Sequence, residues 1–330
     1  MKILVTGGAG FIGSHLVEEL LKQKKIKKVV LIDFFEDGSR KNITHLIKNK
    51  KLKIVKKDIN HIKKNDINFK DIECVFHLAA IADIVPSIDN PKPYCETNIM
   101  GTINILEAMR FNKVKKIIYT ASSSCFGIPK TYPTVEFDKI DTRYPYAFSK
   151  YIGELTIQHW ARVYKINYIS LRLFNVYGIR SRTSGSYGAV MGVFLKQKLS
   201  NKNLTVVGSG QQKRDFIDVR DVVSALIKSM NLKNKKNFVL NIGSSKPIKI
   251  IDLVKLLSSK YINIPKRPGE PLITHAKITK AKKILKWTPK INFKDGIKEL
   301  IKNIDYWKEA PLWTKSEIKK ETKSWFKFLK

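Results

Sequence analysis

The stretch TGGAGFIG at residues 6–13, set between the apolar run KILVT (2–6) and the segment SHLVEELLK (14–22), decides how the chain is read. Gly7, Gly10 and Gly13 form a G-x-x-G-x-x-G pattern. Glycine suits these positions because a tight turn and the close approach of a pyrophosphate leave no room for a Cβ, and the N–H groups opening the next helix face the anion. Alone, such a pattern is common. Here it follows a strand-like run, precedes a helical one, and is answered by Asp33 at the end of the next apolar run, KVVLID (28–33). An acid there accepts hydrogen bonds from ribose hydroxyls and repels a 2′-phosphate, so NAD is expected over NADP. Arg40 lies close enough in sequence to blur that preference.

Outward from this motif the first half alternates two periodicities. KILVT, KVVLID, LKIVKKD (52–58), CVFHLAA (74–80), KIIYTAS (116–122) and YISLRLFN (168–175) are short Ile/Val/Leu-rich runs, the pattern of parallel strands buried on both faces. Helical spacing occupies 12–24, 94–111 and 145–164. Strand–helix repetition of this kind predicts an α/β fold, a doubly wound Rossmann-type parallel sheet. Past about residue 175 the pattern loosens around Gly178, Gly185, Gly188, Gly208 and Gly210, then yields a strand FVLNIG (238–243), a helix over 248–261, the break RPGEP (267–271) and an amphipathic segment over 278–287. We expect an NAD-binding domain over 1–174 and a smaller α/β substrate-binding lobe over 175–330, with segments near 214–243 packing back onto the first domain. SEIKKETKSWFKFLK (316–330) predicts one amphipathic helix that packs through Ile318, Trp325 and Phe328.

With 330 residues, 43% of them hydrophobic, the chain can bury a sizeable core. No run approaches the roughly 18 apolar residues of a membrane span, and MKILVTGGAG lacks a leader's pattern. Cys74, Cys95 and Cys125 have no metal-ligand spacing and are too few for a disulfide framework, which suits a reducing cytoplasm and predicts no metal. The net charge of +35 raises the question of nucleic acid. Its distribution answers no: residues 1–165 carry 28 Lys+Arg against 17 Asp+Glu, and residues 166–330 carry 35 against 11, without a basic arm or an aromatic RNA-binding signature. Diffuse positive charge still favours an acidic small substrate in a cleft.

The second chemical motif is YPYAFSKY (144–151), in which Tyr146 and Lys150 stand i, i+4 on one helix face. A phenol is a poor base at neutral pH, but a lysine one turn away and a cationic nicotinamide both favour the phenolate. His77 sits in an apolar strand and reads as structural. Cys125 has no partnered histidine and reads as a packing residue.

TGGAGFIGSHL, Asp33, the KKDIN around Asp58, HLAA (77–80), NIMGT (98–102), TASSSCFG (120–127), YPYAFSKY, LRLFNVYG (171–178), RDFIDVRDVV (214–223), NIG (241–243) and RPGEP, taken in order, resemble the extended short-chain dehydrogenases/reductases, specifically the nucleotide-sugar epimerase/dehydratase group. The resemblance covers nearly the whole chain. It implies NAD contacts from Gly7, Gly10, Phe11, Ile12, Gly13, Asp33, Asp58, Ile59, Leu78, Ala79, Ala80, Asn98, Tyr146 and Lys150. It implies that Asn175, Arg214 and Arg267 hold the substrate's nucleotide diphosphate, with Glu270 near its ribose and Thr274 lining the sugar pocket. A homodimer, paired through two helices of the NAD domain, is implied on the same ground.

Group members begin by removing a sugar hydroxyl proton and a hydride, giving a keto sugar. The dehydratases among them carry an Asp-Glu pair just after the active-site hydroxyl, and the decarboxylases keep the Glu. The resemblance puts that hydroxyl at Ser122, with Ser123 as its second, so the acid positions are Ser123 and Ser124. Serine cannot replace a carboxylate as acid or base near neutrality. An epimerase inverting C4 of a UDP-hexose is therefore expected, with tightly bound NAD and UDP-glucose/UDP-galactose as the default pair. UDP-GlcNAc and UDP-glucuronate stand beside it; Arg180 and Arg182 are candidate partners of a uronate. Lys277, where relatives commonly show an acid, leaves Thr279 to cap the next helix. From a different class, a non-catalytic NAD- or nucleic-acid-binding regulator predicts a broken catalytic set, whereas Ser122, Tyr146 and Lys150 are all present.

Overall fold

The computed structural model describes residues 1–36, 39–181, 190–233, 236–257 and 260–329. Its first half runs β1 (Lys2–Thr6), α1 (Phe11–Lys22), β2 (Lys28–Asp33), β3 (Leu52–Lys56), β4 (Cys74–His77), α2 (Ile84–Asp89), α3 (Lys92–Cys95), a π-helical turn (Glu96–Met100), α4 (Gly101–Phe111), β5 (Lys116–Ser122), α5 (Pro145–Tyr164) and β6 (Asn167–Leu173). The remainder runs β7 (Asn175–Tyr177), α6 (Val190–Leu199), β8 (Leu204–Val207), β9 (Lys213–Arg214), β10 (Phe216–Asp218), α7 (Val219–Asn231), β11 (Phe238–Ile242), β12 (Ile248–Lys249), α8 (Ile250–Leu257), β13 (Tyr261–Ile264), α9 (Thr279–Leu285), α10 (Phe293–Lys302), α11 (Lys315–Glu321) and α12 (Lys323–Phe328).

Seven strands form one sheet in the order β11-β6-β5-β4-β1-β2-β3, every pair parallel. Ile3 and Val5 of β1 face one core and Leu4 the other, all fully buried, which is why these strands read as continuous apolar runs. Helices α1 and α7 pack together on the first face, while α4 and α5 cover the second. Strand order reverses between β1 and β4, the switch point at which open α/β sheets bind ligands beyond their carboxyl ends.

Past Leu173 the chain leaves the sheet. β7 pairs with β10, β8 with β13 and β9 with β12, and these small ladders stand on a separate core that includes Tyr177, Phe194, Leu253, Ile297, Trp307 and Trp325. β11 returns to the large sheet beside β6. Three local expectations change. The predicted helix over 248–261 is α8 with strands on either side, because β12 and β13 must pair with β9 and β8. The C-terminal helix is two short helices divided at Thr322; Ile318 and Trp325 are buried, but Phe328 is 61% exposed. Thr279 does not cap α9: the N-cap is Ile278, without a side-chain bond, because Ile278 is held as a core residue.

Candidate active site

A cleft of about 890 Å³ opens at the carboxyl ends of β1, β2, β4 and β5 and runs under the second lobe. One end is built on the glycine loop. Gly7 has φ +68°, and a Cβ on it would stand 2.7 Å from the Ala79 nitrogen; a Cβ on Gly13 would stand 2.0 Å from the Gly7 carbonyl oxygen. Neither neighbour is a side chain that can move, so glycine is required at both. Asp33 lines the cleft and also holds its floor, accepting hydrogen bonds from the N–H groups of Ala9 (2.9 Å) and Phe35 (2.8 Å). Arg40 stands off the cleft, its guanidinium carbon 5.2 Å over the Phe35 ring. Phe11, Ile12, Asp58, Ile59, Leu78, Ala79 and Ala80 complete this wall. A cradle that a single Cβ would block, followed by a helix N-terminus and a carboxylate, fits a dinucleotide such as NAD.

Asn98 is the exception among the residues expected to touch the cofactor. It is 1% exposed in the π-helical turn and does not line the cleft. Its Oδ1 accepts from the Ile81 N–H, and its Nδ2 donates to the Ile81 carbonyl and to Ser149 Oγ, so it fastens the loop after β4 to α5. Both polar atoms of the amide are thus bonded to protein. His77 is likewise spent internally, between Thr6 Oγ1 (2.7 Å) and Thr102 Oγ1 (2.9 Å), and burial pulls its pKa down to about 3. Burial raises the Cys125 thiol to about 12, leaving it inert at neutral pH.

At the centre of the cleft α5 starts with Pro145 at its first position and presents Tyr146 and Lys150 on one face. Ser122 ends β5 beside Tyr146, where its hydroxyl acts to lower the phenol's pKa. Its Oγ also donates to Ser124 Oγ (3.0 Å) and accepts the Ser124 N–H (3.2 Å), while Ser124 reaches Tyr144. All three serines border the cleft. Lys150 lies 4.2 Å over the Tyr119 ring, and burial lowers its pKa to about 7 against a smaller opposing effect of Glu154. Burial raises the Tyr146 phenol, with the Ser122 hydroxyl working the other way. Burial therefore opposes both charges at once, against the support for the phenolate expected from Lys150 together with a cationic nicotinamide. Beneath them Glu154 is paired to Arg172 (2.6 Å) and accepts from Ser170 (2.7 Å), a buried support joining α5 to β6.

The far end belongs to the second lobe. Arg214 donates to Glu270 (2.6 Å) and to the Pro271 carbonyl (2.9 Å), and Arg267 lies beside the Trp325 ring at 5.7 Å. Thr274 Oγ1 donates to Asn175 Oδ1 (2.8 Å) and accepts the Asp215 N–H (2.9 Å), so the two expected substrate residues orient one another. Buried Asp215 collects N–H donors from Ser244, Ser245 and Ala276, tying the segments that carry Arg214 and Thr274 together. Asn175, Arg214, Arg267, Glu270 and Thr274 all line the cleft. Arg180 also borders it but is paired with Glu18 (2.7 Å), and Arg182 falls outside the described residues. Tyr144, Asp83, Trp313 and Trp325 line the cleft too and were not singled out as site residues from the sequence. Only the proximity of Tyr144 to Tyr146 gave a local hint.

Residues 4–300 match the family model described as GDP-mannose 4,6 dehydratase. A Methanocaldococcus jannaschii protein provisionally named UDP-glucose 4-epimerase is 37% identical over 307 residues, 91% of this chain and 97% of its own. The UDP-N-acetylglucosamine 4-epimerase of Methanobrevibacter ruminantium, solved with UDP-N-acetylmuramic acid, superposes with a TM-score of 0.85 at 31% identity, covering 93% of this chain and 97% of its own. The UDP-glucuronic acid 4-epimerase of Bacillus cereus, solved with UDP-glucuronic acid and NAD, gives 0.84 at 34%, covering 94% and 99%.

Proposed function

Since the chain belongs to the GDP-mannose 4,6 dehydratase family, we propose that it is an NAD-dependent isomerase inverting C4 of a UDP-hexose of the glucose/galactose type. The observation that carries this reading is the meeting of Ser122, Tyr146 and Lys150 at the centre of a cleft that has a dinucleotide cradle at one end and two arginines at the other. The hydroxyls of Ser123 and Ser124 stand where dehydratases of the resembling group carry carboxylates, which leaves elimination and decarboxylation without an acid or base.

The glycine loop, Asp33, Asp58, Ile59, Leu78, Ala79, Ala80 and Lys150 would hold NAD. When bound, the cofactor supplies a reversible hydride acceptor whose positive nicotinamide also favours phenolate at the nearby tyrosine. Tyr146 takes the proton of the sugar C4 hydroxyl and returns it after the keto sugar has turned over. Ser122, which lines the cleft with Tyr146, hydrogen-bonds the same oxygen in both orientations. Arg214 and Arg267 grip the diphosphate throughout with charge-assisted bonds, so the sugar rotates about a fixed anchor. Net redox is zero, and NAD is retained between turnovers. We further propose a homodimer, supported by exposed Met100, Phe111, Phe148 and Leu155 along the π turn, α4 and α5, and a cytoplasmic location, in keeping with three free cysteines.

The test is incubation of purified protein, without added NAD, with UDP-glucose, UDP-GlcNAc and UDP-glucuronate separately, followed by chromatography of the 4-epimers. UDP-galactose from UDP-glucose is the expected product. In a parallel incubation with NAD supplied, its stoichiometric consumption with sugar would overturn the reading in favour of a dehydrogenase.

A further inference from the structure

The family match ends at residue 300, yet the chain continues along the cleft. Trp307 is fully buried, and Ala310, Ile318 and Trp325 join the core of the second lobe. Hydrogen bonds to the rest of the chain fasten this segment at successive points. The Tyr306 hydroxyl donates to Asn42 Oδ1 (2.7 Å), and Asn42 Nδ2 donates to the Ala9 carbonyl in the glycine loop (2.9 Å). Gln197 donates to the Trp313 carbonyl (2.7 Å), and Trp325 Nε1 donates to the Pro268 carbonyl within RPGEP (2.7 Å). The segment therefore spans the cleft from the cofactor cradle to the loop that carries Arg267 and Glu270.

Trp325 stands at its far end, 3% exposed and bordering the cleft. The rings of Tyr146 and Tyr144 are parallel with centroids 6.5 Å apart, Tyr144 and Trp325 are 6.0 Å apart, and Arg267 lies 5.7 Å from the Trp325 ring. An unbroken aromatic ledge thus leads from the proposed base to a proposed diphosphate ligand. A pyranose whose 4-hydroxyl meets Tyr146 while its diphosphate meets Arg267 must lie along that ledge. Indole and phenol faces suit the C–H face of a sugar ring, and a wall fixed by packing limits what substituents the ring can carry.

We infer that Trp325, delivered by the C-terminal segment, is a substrate-contacting residue that walls the sugar subsite and sets which hexose it accepts. The inference rests on the nucleotide-sugar reading above. The experiment compares Trp325→Ala and Trp325→Phe with wild type in KM and kcat for UDP-hexoses, Kd by calorimetry, retained NAD, Tm, and tryptophan emission during titration with UDP-glucose. Trp325→Ala is expected to raise KM and Kd by about tenfold, and to narrow the discrimination between UDP-glucose and UDP-GlcNAc, with NAD content unchanged. Trp325→Phe, keeping an aromatic wall, stays within about threefold of wild type in KM but loses the part of the substrate-induced emission change that comes from this indole. Folded Trp325→Ala with wild-type KM and Kd overturns the inference. If that variant does not fold, the titration of Trp325→Phe decides: a diminished emission change supports the contact, and one identical to wild type refutes it. Wild-type protein that binds UDP-glucose but inverts none of the sugars removes the epimerase reading and leaves this one to the binding data; failure to bind any UDP-sugar removes both.

Discussion

Lys150 is buried at 4% exposure with its ammonium 4.2 Å from the Tyr119 ring, and its pKa falls from 10.5 to about 7. The unfolded chain holds that proton more tightly than the folded one, so burying the charged form costs stability at every pH below the unfolded value. Between pH 7 and 10.5 the cost shrinks by about 1.4 kcal/mol per unit as the unfolded lysine approaches its own titration; below pH 7 it is constant. Lys150→Met keeps the stem and places a thioether over the same ring, so it removes the penalty while leaving the packing. At pH 7 the gain is about 4 kcal/mol. With an unfolding entropy near 2.1 cal/mol/K per residue, that is a rise in Tm of about 6 °C for a chain of this length. The assay is calorimetric unfolding of nucleotide-free wild type and variant from pH 6 to 10, with epimerase activity measured in parallel. The variant is expected to be more stable, inactive, and to lose its advantage steadily above pH 7. A Tm equal to or below wild type at pH 7, or a difference that does not change from pH 7 to 10, would refute the argument that burial holds this lysine near neutrality.

Other perturbations separate chemistry from architecture. Tyr146→Phe leaves the ring parallel to Tyr144 but removes the proton acceptor, and kcat should drop by about 10²–10⁴ with KM and NAD content little changed, measured by product chromatography. Gly13→Ala forces a methyl group to 2.0 Å from a backbone carbonyl, so purified protein should carry no nucleotide in its 260 nm absorbance. Arg172→Met leaves Glu154 buried without its counter-charge, and denaturant unfolding should show a loss of about 3–5 kcal/mol, with no comparable effect from the exposed pair Lys298–Asp295.

The parts of the site legible in the sequence are those whose meaning is local. The glycine loop, Asp33 and the Tyr146/Lys150 spacing each follow from a strand, a turn or one helical turn, and the parallel sheet follows from strands whose side chains are buried on both faces. The side-chain bonds of Asn98 to Ile81 and Ser149, made from within a π turn, were not visible in the periodicity of the sequence. Thr279 was misread because packing of Ile278 outweighed a capping bond worth about 1 kcal/mol. The pKa directions at Tyr146 and Lys150 were beyond reach as well, since they come from burial rather than from spacing.

The doubly wound sheet, the glycine turn and the one-turn spacing of Tyr146 and Lys150 were legible in the sequence by itself, because short-range sterics and periodicity specify each of them, whereas Ser122 was assigned through the family resemblance. Only the tertiary structure decided that Trp325 borders the cleft. Trp325 lies 179 residues from Tyr146 in the chain, and nothing in its neighbourhood announces a site; it reaches the cleft because Thr322 divides the final helices and buried Ile318 and Trp307 draw the segment back across the lobe. Contacts of that kind are set by how a whole apolar surface is buried, a property that no local window of residues contains.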